Sequence, residues 1–277
     1  MESSVADPER DAGAPAAVAA FLDKWHAREP EMVYAEVFCP RPLRPRFELW
    51  GALLFELREA AFELSDARLV EAKSAWWAEE LLRCAQDAPR HPLTRAIAMP
   101  QAPWNALARG MLAMARRDAS LPADRDAALA SVAPLADGIA SIEAALFHAP
   151  NTQAASRATG VQLLCERLRT GLAHADGGCV PLSLLARHGM PRPSLARPQG
   201  APVVADWAAE LVAMQPSGFA GMALYRSMRT AFDGWFLREL AAYRRQRAMP
   251  RLRALRLAWF AARGTHAAGI ASTDRAK

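Results

Sequence analysis

Apolar residues recur every three or four positions along this chain, and β-branched residues are sparse. That spacing places apolar side chains on one face of an α-helix, whereas a half-buried strand needs alternation at every second residue. Alanine, leucine, arginine and glutamate, which are strong helix formers, dominate the sequence. The pattern therefore predicts an all-α fold.

Prolines and glycines divide the apolar pattern into separate stretches, because both residues interrupt helices. The stretches predict helices near residues 15–27, 31–38, 46–64, 67–86, 92–98, 103–117, 124–147, 151–173, 181–188, 203–214, 217–246 and 249–263. No shift in composition marks a second domain. We expect a single helical bundle over residues 14–264, with flexible tails at 1–13 and 265–277.

Composition and the absence of known motifs narrow the possible cellular location and function of the protein. The four cysteines are widely spaced and form no C-x-x-C pair, which favours buried thiols over disulfides or a zinc site. The N-terminal residues have no apolar core of a secretory signal, and no long uncharged apolar stretch occurs, so we expect a cytoplasmic protein. The sequence contains no G-x-S-x-G, Walker or G-x-G-x-x-G motif, which argues against the common hydrolase and nucleotide-binding classes.

The net charge of +5 is partly concentrated near the C-terminus. Seven arginines lie in the last predicted helical region: Arg244, Arg245, Arg247, Arg251, Arg253, Arg256 and Arg263. Such a run is most often a solvated helix face, and it is also a candidate for peripheral contact with an acidic membrane surface. Nucleic-acid binding is not expected, because only these arginines would support it.

Three carboxylates share one face of the predicted helix 46–64. Glu56, Glu59 and Glu63 stand at positions i, i+3 and i+7, so their like charges repel unless a cation compensates them. Arg58 lies off that face, which leaves an arginine of another helix, a bound metal ion or solvent as the compensating partner. Carboxylate ligands alone would suit magnesium.

Three segments together resemble the squalene/phytoene synthases, which are trans-isoprenyl diphosphate synthases of the head-to-head type. They read KSAWWAEELLRCAQDAPRHPLTRAI over 73–97, QLLCERLRTGLAHADGGCVPLSLLARHG over 162–189 and ALYRSMRTAFDGWFLRELAAYRRQRAMPRLRALRLAW over 223–259. The resemblance implies the all-α isoprenoid synthase fold. In active members it also implies two Asp-x-x-x-Asp motifs that hold magnesium against a substrate diphosphate.

The sequence departs from that family at both motifs. The first should fall on Ala60 to Leu64, which reads AAFEL, and the correctly spaced pair Glu59 and Glu63 is displaced by one residue, or about 100° around the helix. The second should fall near Glu166, where the expected aspartates meet Leu168 or Arg169. We therefore expect no metal; if magnesium binds, its ligands would be Glu59, Glu63 and Glu166, and Arg167 and Arg169 are the candidate substrate-binding residues.

The chain is thus interpreted as a degenerate member of the family, a pseudoenzyme that binds an isoprenoid or another lipid, or a partner protein, in the manner of an assembly factor with this fold. Its segment 31–66 resembles that degenerate group more than the enzymes. The alternative is an active prenyl diphosphate transferase of terpenoid or carotenoid biosynthesis, with magnesium held by divergent ligands. Catalytic residues and oligomeric state are not defined by the sequence.

Overall fold

The computed structural model describes residues 8–64, 66–116, 120–174, 177–243 and 248–273, and these ranges contain twelve α-helices and no strand. The helices are α1 Pro8–Arg28, α2 Pro30–Glu36, α3 Arg44–Arg58, α4 Ala67–Ala85, α5 Pro92–Ile97, α6 Trp104–Ala115, α7 Arg125–Leu146, α8 Gln153–Thr170, α9 Leu182–Arg187, α10 Ala201–Met214, α11 Leu224–Tyr243 and α12 Arg251–Thr273. A single π-helical turn, Glu59–Glu63, extends α3. The predicted all-α fold is confirmed.

Three helix ends differ clearly from the prediction. Helix α1 begins at Pro8 rather than near 15, and Pro15 lies inside it. Helix α11 begins at Leu224 rather than near 217, because the preceding loop holds Pro216 and Gly221, the latter with a left-handed φ of 72°. Helix α12 continues to Thr273 rather than stopping at 263. Gly264 lies within it, and a Cβ there would come 3.1 Å from the Phe219 ring, so this glycine permits a close contact instead of ending the helix. The tails and domain bounds expected from the sequence remain predictions.

Helix α11 forms the centre of the bundle. It packs against α8, α10 and α12, while α12 also packs against α2, and α3 packs against α1 and α5. Every residue of α11 from Leu224 to Leu237 is buried. Four tryptophans, one each from α1, α3, α6 and α10, are also fully buried: Trp25, Trp50, Trp104 and Trp207. Large side chains thus fill much of the interior.

Helix α7 is the one helix among the described residues that is long and apolar enough to cross a membrane. It packs between α6 and α8, and 56% of its most apolar window is buried inside the bundle. Its buried Glu143 forms a salt bridge of 2.6 Å with the buried Arg226. The position of α7 in the core therefore accounts for its apolar composition.

Helices α6 and α7 approach each other closely through two glycines. A Cβ on Gly110 would lie 2.7 Å from the Pro134 carbonyl oxygen, and one on Gly138 would lie 2.7 Å from the Leu107 Cα. Both neighbours are backbone atoms, which cannot move aside as a flexible side chain can. The two glycines therefore set the separation between the helices.

We predict that Gly138→Ala lowers the free energy of unfolding by about 1–3 kcal/mol, because overpacking against the α6 backbone outweighs the better helix propensity of alanine. Gly218→Ala is the matched control, since a Cβ at that loop position meets nothing within 4 Å. Urea denaturation of both variants tests this. Equal stability of the two variants would contradict the close approach.

Candidate functional site

A cavity of about 490 Å³ opens between the end of α1, α2, the end of α3, α8, α11 and the start of α12. Its wall is part aromatic and part charged. The aromatic lining residues are Tyr34, Phe55, Phe62, Trp235 and Phe236. The charged lining residues are Arg28, Glu29, Glu31, Arg58, Glu63, Glu166, Arg169 and Arg251. A volume of this size suits one small-molecule ligand.

Arg229 of α11 pairs with carboxylates of the charged wall. Its side chain is 0% exposed and lies 2.7 Å from Asp233, one helical turn further along α11. Its guanidinium group also lies 3.2 Å from Glu29, 3.1 Å from Glu31 and 3.4 Å from Glu166. One buried arginine therefore joins carboxylates from three parts of the chain.

A second arginine, Arg58 at the end of α3, completes this cluster. It forms a salt bridge with Glu29 and lies 3.4 Å from Glu166. Burial alone would raise the pKa of the Glu29 carboxyl, but Arg58 and then Arg229 lower it to about 2 from its ordinary 4.5. The Trp25 indole N–H also donates to Glu29, at 2.9 Å. Glu29 is therefore ionised at neutral pH even though it is only 5% exposed.

The structure separates the three glutamates that the sequence offered as metal ligands. Glu63 and Glu166 line the cavity, whereas Glu59 does not. Glu59 instead lies 2.6 Å from Lys24 and 3.6 Å from Lys73, on α1 and α4. Lysines and an arginine of other helices thus compensate the carboxylate face of α3, since Lys24 also binds Glu56 and Arg28 binds Glu63 at 3.0 Å.

The two candidate substrate-binding arginines also lie apart. Arg169 lines the cavity, lies 2.6 Å from Glu166 and 3.3 Å from Asp233, and stacks on the Phe236 ring at 4.0 Å. Arg167 is only 2% exposed, does not line the cavity, and donates to the backbone carbonyl of Phe62 in the π-helical turn. Arg169 is therefore the one of the two placed to contact a ligand.

These residues do not fit a magnesium site. No group of three or more His, Cys, Asp or Glu side chains within the described ranges converges so as to hold a metal ion. The two candidate ligands that line the cavity already have arginine partners, Glu63 with Arg28 and Glu166 with Arg58, Arg169 and Arg229. Arg58 and Arg229 are buried, and separating a buried charge from its partner is costly, so a cation at Glu166 would have to compete with the existing pairs.

Sequence reasoning did not identify Glu29, Arg58, Arg229 or Asp233 as members of the site. One signal was available: Arg229 and Asp233 stand four residues apart in a predicted helix, and opposite charges at this spacing are expected to pair. The partners in the first half of the chain lack such a signal, because nothing local marks Glu29 or Arg58 as buried. Only the packing of α2 against both α11 and α3 brings them together.

No protein-family model matches the sequence, and no curated protein matches it. Solved structures do match. A crystal structure of a dehydrosqualene synthase in complex with ligand aligns with a TM-score of 0.63 at 15% identity, covering 92% of this chain and 98% of that one. Squalene synthase HpnC from Alicyclobacillus acidocaldarius aligns with a TM-score of 0.53 at 16% identity, covering 90% and 94%.

The chain has the squalene synthase fold. The resemblance noted in the three sequence segments is thereby confirmed at the level of the fold, over nearly the whole chain. Identities of 15% and 16% carry neither activity nor substrate from those enzymes to this protein. Evidence for the function of this chain comes from the residues of its own cavity.

The pairing of Glu29 yields a pH-dependent prediction. A carboxyl whose pKa is 4.5 when unfolded and about 2 when folded stabilises the fold fully above pH 4.5, and this contribution is lost as the pH falls toward 2. The shift corresponds to about 3 kcal/mol. We predict that Glu29→Gln lowers the free energy of unfolding by about this amount at pH 7, and by less at pH 3.5.

Urea denaturation of the wild type and of Glu29→Gln at the two pH values measures the effect. Glu79→Gln is the control, because Glu79 pairs with Arg83 at 2.7 Å on an exposed helix face, and its loss should leave stability nearly unchanged. A Glu29→Gln variant as stable as Glu79→Gln at pH 7 would contradict the buried pairing.

Proposed function

We propose that this protein is a non-catalytic relative of the squalene synthases that binds one isoprenoid-like lipid in its cavity without a metal ion. The observation that carries the proposal is the charge pairing at the cavity: the lining carboxylates Glu29, Glu63 and Glu166 each have an arginine partner within the chain. These three lining carboxylates are therefore compensated without a metal ion. The cytoplasmic location expected from the sequence is part of the same proposal.

Charge pairing argues against condensation of prenyl diphosphates. Ionisation of a diphosphate needs preorganised positive charge that is free to meet the developing negative charge. Here Arg58, Arg169 and Arg229 already contact carboxylates, and α8 has Leu168 or Arg169 where an aspartate of the second motif was expected. A diphosphate would have to displace Glu166 or Asp233 from these arginines, which removes much of the gain in binding it.

The other wall of the cavity supports a lipid ligand. Phe55, Phe62 and Phe236 are less than 8% exposed, and with Tyr34 they provide an apolar surface beside the paired charges. Pockets for small ligands commonly combine such a surface with a few polar groups that fix the orientation. Because Arg58 and Arg169 are already paired with carboxylates, we expect a ligand with a neutral polar head, such as a prenyl alcohol, to bind without a metal ion.

The first test is turnover. Purified protein is incubated with farnesyl and geranylgeranyl diphosphate, magnesium and NADPH, and released pyrophosphate is measured. We predict none above a no-protein control. Magnesium-dependent release that Glu63→Gln and Glu166→Gln abolish, but Glu59→Gln does not, would contradict the proposal and establish the alternative, an active prenyl transferase with divergent metal ligands.

The second test is binding. We predict that farnesol raises the melting temperature in the presence of EDTA, and that Phe236→Ala reduces this ligand-induced rise relative to the variant's own baseline, because the aromatic wall is lost. Phe219→Ala is the matched control, a partly buried phenylalanine outside the cavity. Equal responses of the two variants, or no response of the wild type to farnesol, would contradict lipid binding and favour the partner-protein interpretation.

A further inference from the structure

Helix α12 turns its small side chains inward and its largest apolar ones outward. Its buried face consists of Ala254, Ala258, Ala261 and Ala262. Leu252 is 81% exposed, Trp259 40% and Phe260 49%, whereas the fully buried positions of a bundle helix normally hold such residues. An exposed apolar surface of this kind on a folded protein commonly marks an interaction site.

The same outer face is strongly basic. Arg256, Trp259, Phe260 and Arg263 follow Leu252 at i+4, i+7, i+8 and i+11, which places them along one side of the helix. Arg256 lies over the Phe260 ring at 5.6 Å and Arg263 over the Trp259 ring at 4.8 Å. The sequence has no acidic residue from 240 to 273. Within the described ranges, the four exposed arginines of α12 (251, 253, 256 and 263) make no salt bridge with a carboxylate.

We propose that this outer face, formed by Leu252, Arg253, Arg256, Trp259, Phe260 and Arg263, docks the protein on an anionic lipid bilayer. Aromatic side chains favour the region between the head groups and the acyl chains, and arginines beside them meet the anionic head groups. Each arginine near such a surface contributes about 1 kcal/mol. The combination of exposed rings and unneutralised guanidinium groups on one helix face matches this occupant.

A second copy of the chain fits the face less well. A two-fold interface through α12 would bring the same arginines of both copies together, and like charges in a desolvated contact are unfavourable. Docking on a bilayer avoids that repulsion. It also places the cavity beside the membrane, since Arg251 at the start of α12 lines the cavity. The inference does not depend on whether the cavity binds a lipid or catalyses a reaction.

The test is cosedimentation of the full chain with vesicles. One set contains only phosphatidylcholine and the other adds phosphatidylglycerol, each at low and high salt. We expect binding to the anionic vesicles alone, weakened by salt. Trp259→Ser with Phe260→Ser, and separately Arg253→Gln with Arg256→Gln, should each lower the partition coefficient by roughly tenfold or more.

Matched controls remove equivalent groups elsewhere. Leu69→Ser with Leu182→Ser takes away two exposed apolar side chains of other helices, and Arg68→Gln with Arg125→Gln takes away two exposed arginines. Both should bind anionic vesicles as the wild type does. No binding to anionic vesicles, or equal losses in the controls, would overturn the proposal. The proposal would also be overturned if the protein did not bind vesicles but self-associated, or bound nucleic acid, through Trp259 and Phe260. That result would identify the second copy or the nucleic acid as the partner of this face.

Discussion

The buried guanidinium of Arg229 determines how the walls of the cavity sit relative to one another. It contacts Glu29 and Glu31 at the start of α2, Glu166 on α8 and Asp233 on its own helix. A buried arginine needs a compensating negative charge, and Arg229 takes it from all of these elements, which are thereby held close to α11. Helix α12 packs against both α2 and α11, which fixes the mouth of the cavity as well.

Most of the fold could be predicted because its signals are local. The spacing of apolar residues and the positions of prolines and glycines gave all twelve α-helices of the described ranges. The error at the end of α12 arose where a local signal served a distant contact. Gly264 reads as a helix end in the sequence, yet it faces Phe219, which lies in a loop more than forty residues earlier. No property of residues 260–268 alone distinguishes a glycine that ends a helix from one that admits a neighbouring ring.

The site was predictable only in part, because its chemistry depends on pairs far apart in sequence. The carboxylate face of α3 and the arginines of α8 were visible as helix faces. Which partners they meet was not: Glu59 binds Lys24 and Lys73, and Arg167 binds the Phe62 carbonyl. The π-helical turn at Glu59–Glu63 is a further reason. It changes the direction in which successive side chains point, so the α-helical rotation of about 100° per residue that was used to place the first motif does not hold there.

The charge pairing also bears on how such a fold persists without its usual ligands. Two facing helices that carry only carboxylates repel each other, and in a metal enzyme the cation relieves that repulsion when it binds. In this chain Glu166 of α8 faces Arg58 of α3 instead, at 3.4 Å, and Arg169 lies beside it. The compensating charge is covalently part of the protein, so the repulsion between the two helices is relieved by arginine side chains. On the function proposed here, the arginines that take the place of magnesium lie beside the aromatic side chains that would contact the lipid.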